Sequence, residues 1–226
     1  MDITQVVAQR RSIRAFKPDP VPKAILCEIV EQALRAPSWA NTQPWEFAIA
    51  SGAKLAEIRK RFVDKGGADI NPDFPHVFDF PEPYDSRCRA AVARSHASLG
   101  IDRENEEQRK WWEIRQLSNF GAPCEIYIYI DRSLCLQNGK LNIWPVFDCG
   151  MIAGSIMLLA ASYRLGTIAQ ARAVAYPGII REVLEIPDTK LMLMGIAIGY
   201  PDWDNPVNQF STEREPLDKM VSWHGF

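Results

Sequence analysis

The sequence predicts an α+β fold: a three-layer α/β/α sandwich around a small, mostly antiparallel sheet of about four or five strands. Three observations carry that expectation. Helical and strand patterns alternate along the chain, with more helix than strand. Residues 125–130 and 190–198 read as strong strands, the first by its β-branched and aromatic content. Residues 146–163 are apolar almost all round, as a helix covered on several sides should be.

The elements follow in order. Residues 2–10 place Ile3, Val6 and Val7 at helical spacing, with Asp2 or Thr4 available as a cap. Pro18, Pro20 and Pro22 then break the chain, and Pro22 suits the first turn of a helix running to about Ala36. Its apolar face is Ile25, Leu26, Ile29, Val30, Ala33 and Leu34, and Pro37 stops it. Residues 37–45 form a proline-bracketed loop rich in hydrogen-bonding side chains. Residues 46–50 alternate as a strand, and Ser51 caps a helix over 53–63.

Residues 64–83 read as a long irregular connection with Gly66-Gly67 and four prolines. Its aromatics (Phe74, His76, Phe78, Phe80 and, just beyond, Tyr84) argue against plain disorder. Two helices follow, over 85–99 and 104–117. The second carries Trp111 and Trp112, one expected in the core and the other at a surface, pocket or interface. Residues 132–143 read as a loop turning at Asn138-Gly139.

Pro145 opens the long apolar helix. Gly150, Gly154 and Ser155 would let another helix approach it closely, so it is either a central core helix or a subunit-interface helix. Gly166 is expected at the left-handed position that ends it. Residues 167–169 make a short strand with Gln170-Ala171-Arg172 in the loop beyond. Residues 177–184 make a short helix. From Gly199 a polar, proline-punctuated arm is expected to lie on the protein's own body or on a partner subunit. We therefore expect one domain over 1–226, with 64–120 as a helical insert or lid and 199–226 as the arm.

Composition bounds the function. The chain has 226 residues, 47% apolar and 24% charged, enough to bury a sizeable core. A net charge of −2 speaks against a nucleic-acid or polyanion partner. Cys27, Cys88, Cys124, Cys135 and Cys149 are odd in number and unpaired in spacing, so neither a disulfide framework nor a zinc knuckle is expected. The N-terminus lacks the apolar core of a signal peptide, and the longest apolar run, 151–161, reads as too short to span a bilayer. A soluble protein of a reducing compartment, the cytoplasm, is the expectation.

Phosphate-loop, dinucleotide, nucleophile-elbow and zinc-protease motifs are all missing. His76, His96 and His224 are far apart and have no acidic partner at useful spacing, so neither a metal site nor a Ser-His-Asp arrangement is expected. A chain without an obvious acid, base or nucleophile suggests that a cofactor carries the chemistry. Arg10-Arg11-Ser12-Ile13-Arg14 puts three cations and a hydroxyl in five residues, which calls for an anion or is a solvated basic loop.

That cluster, followed by Ala15-Phe16 and then by Pro37-Ser38-Trp39-Ala40-Asn41-Thr42-Gln43-Pro44-Trp45, resembles the FMN-dependent nitroreductase family. Arg164 to Gln170, Gly195 to Pro201 and Thr212 to Asp218 resemble its later motifs. The likeness covers most of the chain outside 64–120. Pro81-Glu82-Pro83-Tyr84 and the ending Trp223-His224-Gly225-Phe226 are similar to its nitrobenzoate-reductase-like branch.

The resemblance implies an intertwined homodimer with two FMN sites lined by residues of both subunits. It implies that Arg10, Ser12 and Arg214 hold the phosphate, guanidinium being suited to bidentate contact. Arg14 would reach the pyrimidine edge, and a cation there stabilises the anionic reduced flavin. Pro37, Ser38, Trp39 and Asn41 would pack along the ring, and Ala169 and Gln170 would pass its N5. Arg11 stays open between flavin and solvent. Where the family often has a second base three positions before Arg214, this chain has Ser211, unless Arg11 or Arg172 substitutes. The amide that often follows the acidic start of the long helix, here Asp148, is also missing.

The implied activity is NADH- or NADPH-dependent reduction of nitroaromatics or quinones, by ping-pong hydride transfer through N5. Other readings share the motifs: reductive dehalogenation, alkene reduction, or flavin binding without turnover. Trp39, Trp111, Trp112 and Phe120 are expected to line the substrate pocket.

Overall fold

The computed structural model describes residues 2–226 apart from 78 and 138. Phe78 and the Asn138 half of the expected turn thus lie outside the described residues. Helix α1 spans Ile3–Gln9 and α2 spans Lys23–Ala33, so α2 ends about one turn before Ala36. Pro22 sits at its N-cap. Strand β1 is Trp45–Ser51 and α3 is Gly52–Lys65, which presents Leu55, Ile58 and Phe62 to the core. Neither Asp2 nor Ser51 makes the expected side-chain cap bond. Helices α4, Tyr84–Ser98, and α5, Glu106–Leu117, follow the irregular stretch.

Strand β2 is Cys124–Asp131. The expected loop over 132–143 holds a short helix α6, Arg132–Cys135, and a hairpin of β3, Leu136–Gln137, with β4, Lys140–Leu141. The pairing involves only two residues a strand, too few for an alternating pattern. Then come α7, Trp144–Ser162, β5, Gly166–Gln170, α8, Pro177–Leu184, and β6, Lys190–Gly199.

The four long strands make one antiparallel sheet in the order β1-β2-β6-β5. Alternation along β2 divides the interior in two. Ile126, Ile128 and Ile130 face α2 and α7, packing with Ile29, Ile152 and Ile156. Tyr127 faces the other side, with α3 and α8. Helices therefore cover both faces, giving the three layers.

Two expectations at the end of α7 are corrected. The left-handed residue is Arg164, with φ 62°, not Gly166. Gly166 serves close approach: a Cβ there would sit 2.6 Å from Ile13 Cγ1 and 2.8 Å from Pro201 Cγ. Gln170 ends β5 rather than lying in the loop, and is only 7% exposed. Helix α7 has 19 residues and is long and apolar enough to cross a membrane, so length alone excludes nothing. Its place against α2, β1, β5 and β6 marks it as a helix of the core. Even so, Phe147 is 59% exposed, and the Met151, Gly154 and Leu158 side of α7 stays partly open.

The arm runs first along the protein's own body. Phe16 bridges Pro201, and Lys17 N–H donates to Tyr200 O at 2.9 Å. Asn208 accepts from Arg14 N–H at 2.8 Å and donates to Ala15 O at 2.8 Å.

Candidate flavin site

The basic cluster is fixed by backbone bonds on both edges. Arg10 N–H closes α1 on Val6 O at 2.9 Å. The chain then extends, Ser12 bridges Thr167 in parallel, and Ile13 N–H donates to Thr167 O at 3.0 Å. Alternation buries Ile13 and Ala15. Arg10, Arg11, Ser12 and Arg14 instead line a cavity of about 660 Å³, together with Ser211 and Arg214. Residues nearly 200 positions apart thus meet there.

Among the described residues, none of Arg10, Arg11, Arg14 and Arg214 is in an ion pair. Four guanidinium groups around one cavity without a carboxylate suit a dianion. Arg14 is half-buried, which pulls its pKa down from the usual value, and its guanidinium lies 5.5 Å from the Phe210 ring. Arg11 turns over the Trp203 ring at 5.9 Å. Arg172 is not a spare phosphate cation: it pairs with Glu113 and lines a different cavity.

That second cavity, about 510 Å³, lies on the other side of Arg14, which lines both. Ala169 and Gln170 form one wall, and Trp112 and Phe120 another. Trp112 lies tilted 5.5 Å from Phe120 and meets His96 edge-on at 5.8 Å. Ser95 Oγ, His96 Nδ1, Gln170 Nε2 and Arg172 Nε are all shielded and have no hydrogen-bond partner among the described residues. All four residues line this one cavity. A buried polar atom left unpaired costs about 1–3 kcal/mol, so four around one space fit a ligand edge rich in hydrogen-bonding atoms. Burial first, then the Arg103 charge, pushes the His96 pKa down, so its imidazole is neutral at pH 7. An extended ligand with a dianion at one end and a polar planar ring at the other fits both cavities, which is what FMN requires.

Ser95 and His96 escaped the sequence reading. Helix α4 is polar around most of its surface, and nothing local marks these two residues as inward-facing.

The loop residues stand apart. Pro37 lines a third cavity, shared with Val6 of α1 and Leu158 of α7. Trp39 N–H donates to Asp148 Oδ2 at 3.1 Å, and Gln43 N–H donates to Ser38 Oγ at 3.0 Å. The Trp39 ring is 59% exposed, 5.7 Å from Trp144, and Asn41 is exposed with φ 56°. None of Pro37, Ser38, Trp39 and Asn41 lines either of the first two cavities. Trp111 is also outside, 48% exposed and resting on Trp112 and Arg115. Of the expected pocket residues, one chain therefore brings together only Trp112 and Phe120.

The chain is similar to several known proteins. A 4-nitrobenzoate reductase of Nocardioides sp. (strain LMS-CY) is 30% identical over 224 residues, covering 96% of this chain and 88% of that one. An iodotyrosine deiodinase of Danio rerio is 45% identical over 199 residues, 88% of this chain and 59% of the other. The crystal structure of an FMN- and NADPH-dependent nitroreductase, NfnB, from Sphigopyxis sp. strain HMH superposes with a TM-score of 0.92 at 29% identity, over the full length of both chains. The profile of the Nitroreductase family matches residues 7–200, and the chain belongs to that family.

Proposed function

We propose that the protein is an FMN-dependent NAD(P)H oxidoreductase that reduces nitroaromatic compounds, with quinones as a further acceptor class, in a ping-pong cycle. The observation that carries this reading is the position of Arg14. It stands between a cavity ringed by unpaired guanidinium groups and a cavity ringed by unpartnered polar atoms. When bound, FMN supplies the two-electron redox chemistry. Arg10, Ser12 and Arg214 hold its phosphate. Arg14 sets a fixed positive charge at the pyrimidine edge and favours the reduced form. Ala169 and Gln170 lie along the ring, and Trp112 and Phe120 exclude water from one side of it.

The working form is a homodimer. Pro37, Ser38, Trp39 and Asn41 contribute to the site only from a second chain, since they line neither cavity of their own. The open side of α7, with exposed Phe147 and with Ile3 and Val7 of α1, offers an apolar face for it. The five free cysteines suit a reducing, cytoplasmic setting.

The test is direct. The purified protein should carry a flavin spectrum that NADH or NADPH bleaches under anaerobic conditions and that 4-nitrobenzoate restores. A colourless protein that takes up no FMN would refute the flavin reading. Bound flavin that neither nucleotide bleaches would make this a binding protein without turnover. The likeness to the zebrafish deiodinase supports a second reading, reductive dehalogenation. Reoxidation by a haloaromatic but not by a nitroaromatic would favour it.

A further inference from the structure

Arg214 has a glutamate on each side, Glu213 and Glu215. Carboxylates adjacent to a phosphate-binding guanidinium oppose the phosphate twice. They compete for the cation and they repel the dianion. Position 211, three residues earlier, offers only a serine. On local sequence alone this is a poor place for a phosphate.

The structure gives both carboxylates other partners. Arg87 Nε of α4 lies 3.0 Å from Glu215 Oε1, and Lys219 Nζ lies 3.3 Å from Glu215 Oε2. Arg94 Nη2 pairs with Glu213. Arg87 and Arg94 are seven residues apart, two turns along one face of the same helix. Among the described residues, Arg214 has no carboxylate partner. Its Nη1 donates to Thr212 Oγ1 at 2.8 Å and to Glu213 O at 2.9 Å, and the residue lines the cavity with Arg10 and Ser12.

We propose that Arg87 and Arg94 are positioning residues of the phosphate site: by engaging Glu215 and Glu213 they keep both carboxylates off Arg214 and leave its charge to the ligand. The inference rests on the assignment of Arg214 to the FMN phosphate. Hydrogen bonds from Lys219 and Arg87, and then their charges, also hold the Glu215 carboxyl below its usual range, so it stays ionised.

The experiment displaces bound FMN from the full-length holoprotein with riboflavin, which has the same ring without the phosphate. Its readout is the FMN-to-riboflavin affinity ratio. Replacing both arginines, Arg87→Gln with Arg94→Gln, should lower the ratio about 3- to 10-fold, as two exposed ion pairs allow. Adding Glu213→Gln and Glu215→Gln should restore it, because the carboxylates that needed holding are gone. A packing role for the arginines would not be rescued in this way. An unchanged ratio in the double variant, or no rescue in the quadruple one, overturns the proposal. Arg214→Ala separates it from its premise. If that variant keeps the wild-type ratio, the phosphate assignment falls and the proposal with it. If its ratio drops while the double variant's does not, the proposal alone falls.

Discussion

The two sides of Arg14 are built by different means. On the side we assign to the phosphate the groups are arginines and hydroxyls, partly exposed, and carried by two short segments outside the helices, 10–14 and 211–214. On the ring side they are mostly neutral and shielded, and come from α4 (Ser95 and His96), the end of β5 (Gln170) and the turn just beyond it (Arg172). The ring side also rests on a buried polar layer. Gly195 pairs with Gln170 across the sheet, and the Glu125 carboxyl occupies the space its missing side chain leaves, with Oε1 2.4 Å from where a Cβ would be. Glu125 is fully buried near Arg59, Asn119 and Tyr127, and burial, offset in part by Asn119 and Arg59, pushes its pKa up to about 8. Binding a dianion takes charge, which a few side chains can supply at a surface. Binding a ring edge takes several fixed dipoles, which only the packed interior can hold in place.

The contrast can be broken by variants on either side. Arg10→Ala should have the largest effect, lowering FMN affinity about 10- to 100-fold, the worth of a charge-assisted contact, while riboflavin displacement stays near wild type. Equal losses for both flavins would mean that Arg10 serves the ring. Arg14→Ala should lower the midpoint potential of the bound flavin by about 30–60 mV, equivalent to the same class of contact in a two-electron couple. Dye equilibration measures it, and an unchanged potential would remove Arg14 from the ring.

The layer beneath the ring side gives a pH dependence. The folded state holds the Glu125 proton more tightly than the unfolded chain does. Its stabilising contribution is therefore complete below the ordinary value of 4.5 and is lost as pH rises through about 8. Between pH 5 and pH 8 the melting temperature of the wild type should fall by about 7–14 °C more than that of Glu125→Gln. Parallel curves would place the carboxyl's titration elsewhere. Gln170→Ala should have the smallest effect, about 2- to 10-fold on both flavins alike, as one neutral hydrogen bond allows. A change in the FMN-to-riboflavin ratio would contradict its place on the ring side.

The same contrast explains what the sequence disclosed. The long strands and α7 were legible because β-branched alternation and an unbroken apolar run report on burial directly. The hairpin β3–β4 was not, since two residues a strand carry no period. Gly166 looks like a helix stop in the sequence because glycine serves both left-handed turns and close approaches. Only the neighbouring Ile13 and Pro201 show that here it is the second. Around the first cavity, Arg10, Ser12 and Arg14 stand out in the sequence as one short cluster of cations and a hydroxyl, whereas only the family resemblance points to Arg214. Ser95 and His96 do not stand out, because their inward direction comes from how α4 docks. Nor could the sequence tell that the 37–41 loop and the 10–14 cluster keep apart within one chain.

The seam between residues 12–17 and the arm has a consequence for biosynthesis. Arg14 N–H is held by Asn208, 194 positions later, and Lys17 N–H by Tyr200. The edge formed by residues 12–17 therefore stays without these partners until residues 200–208 have been made, and contacts of such high sequence separation are rewarded only after the loop-closure entropy has been met.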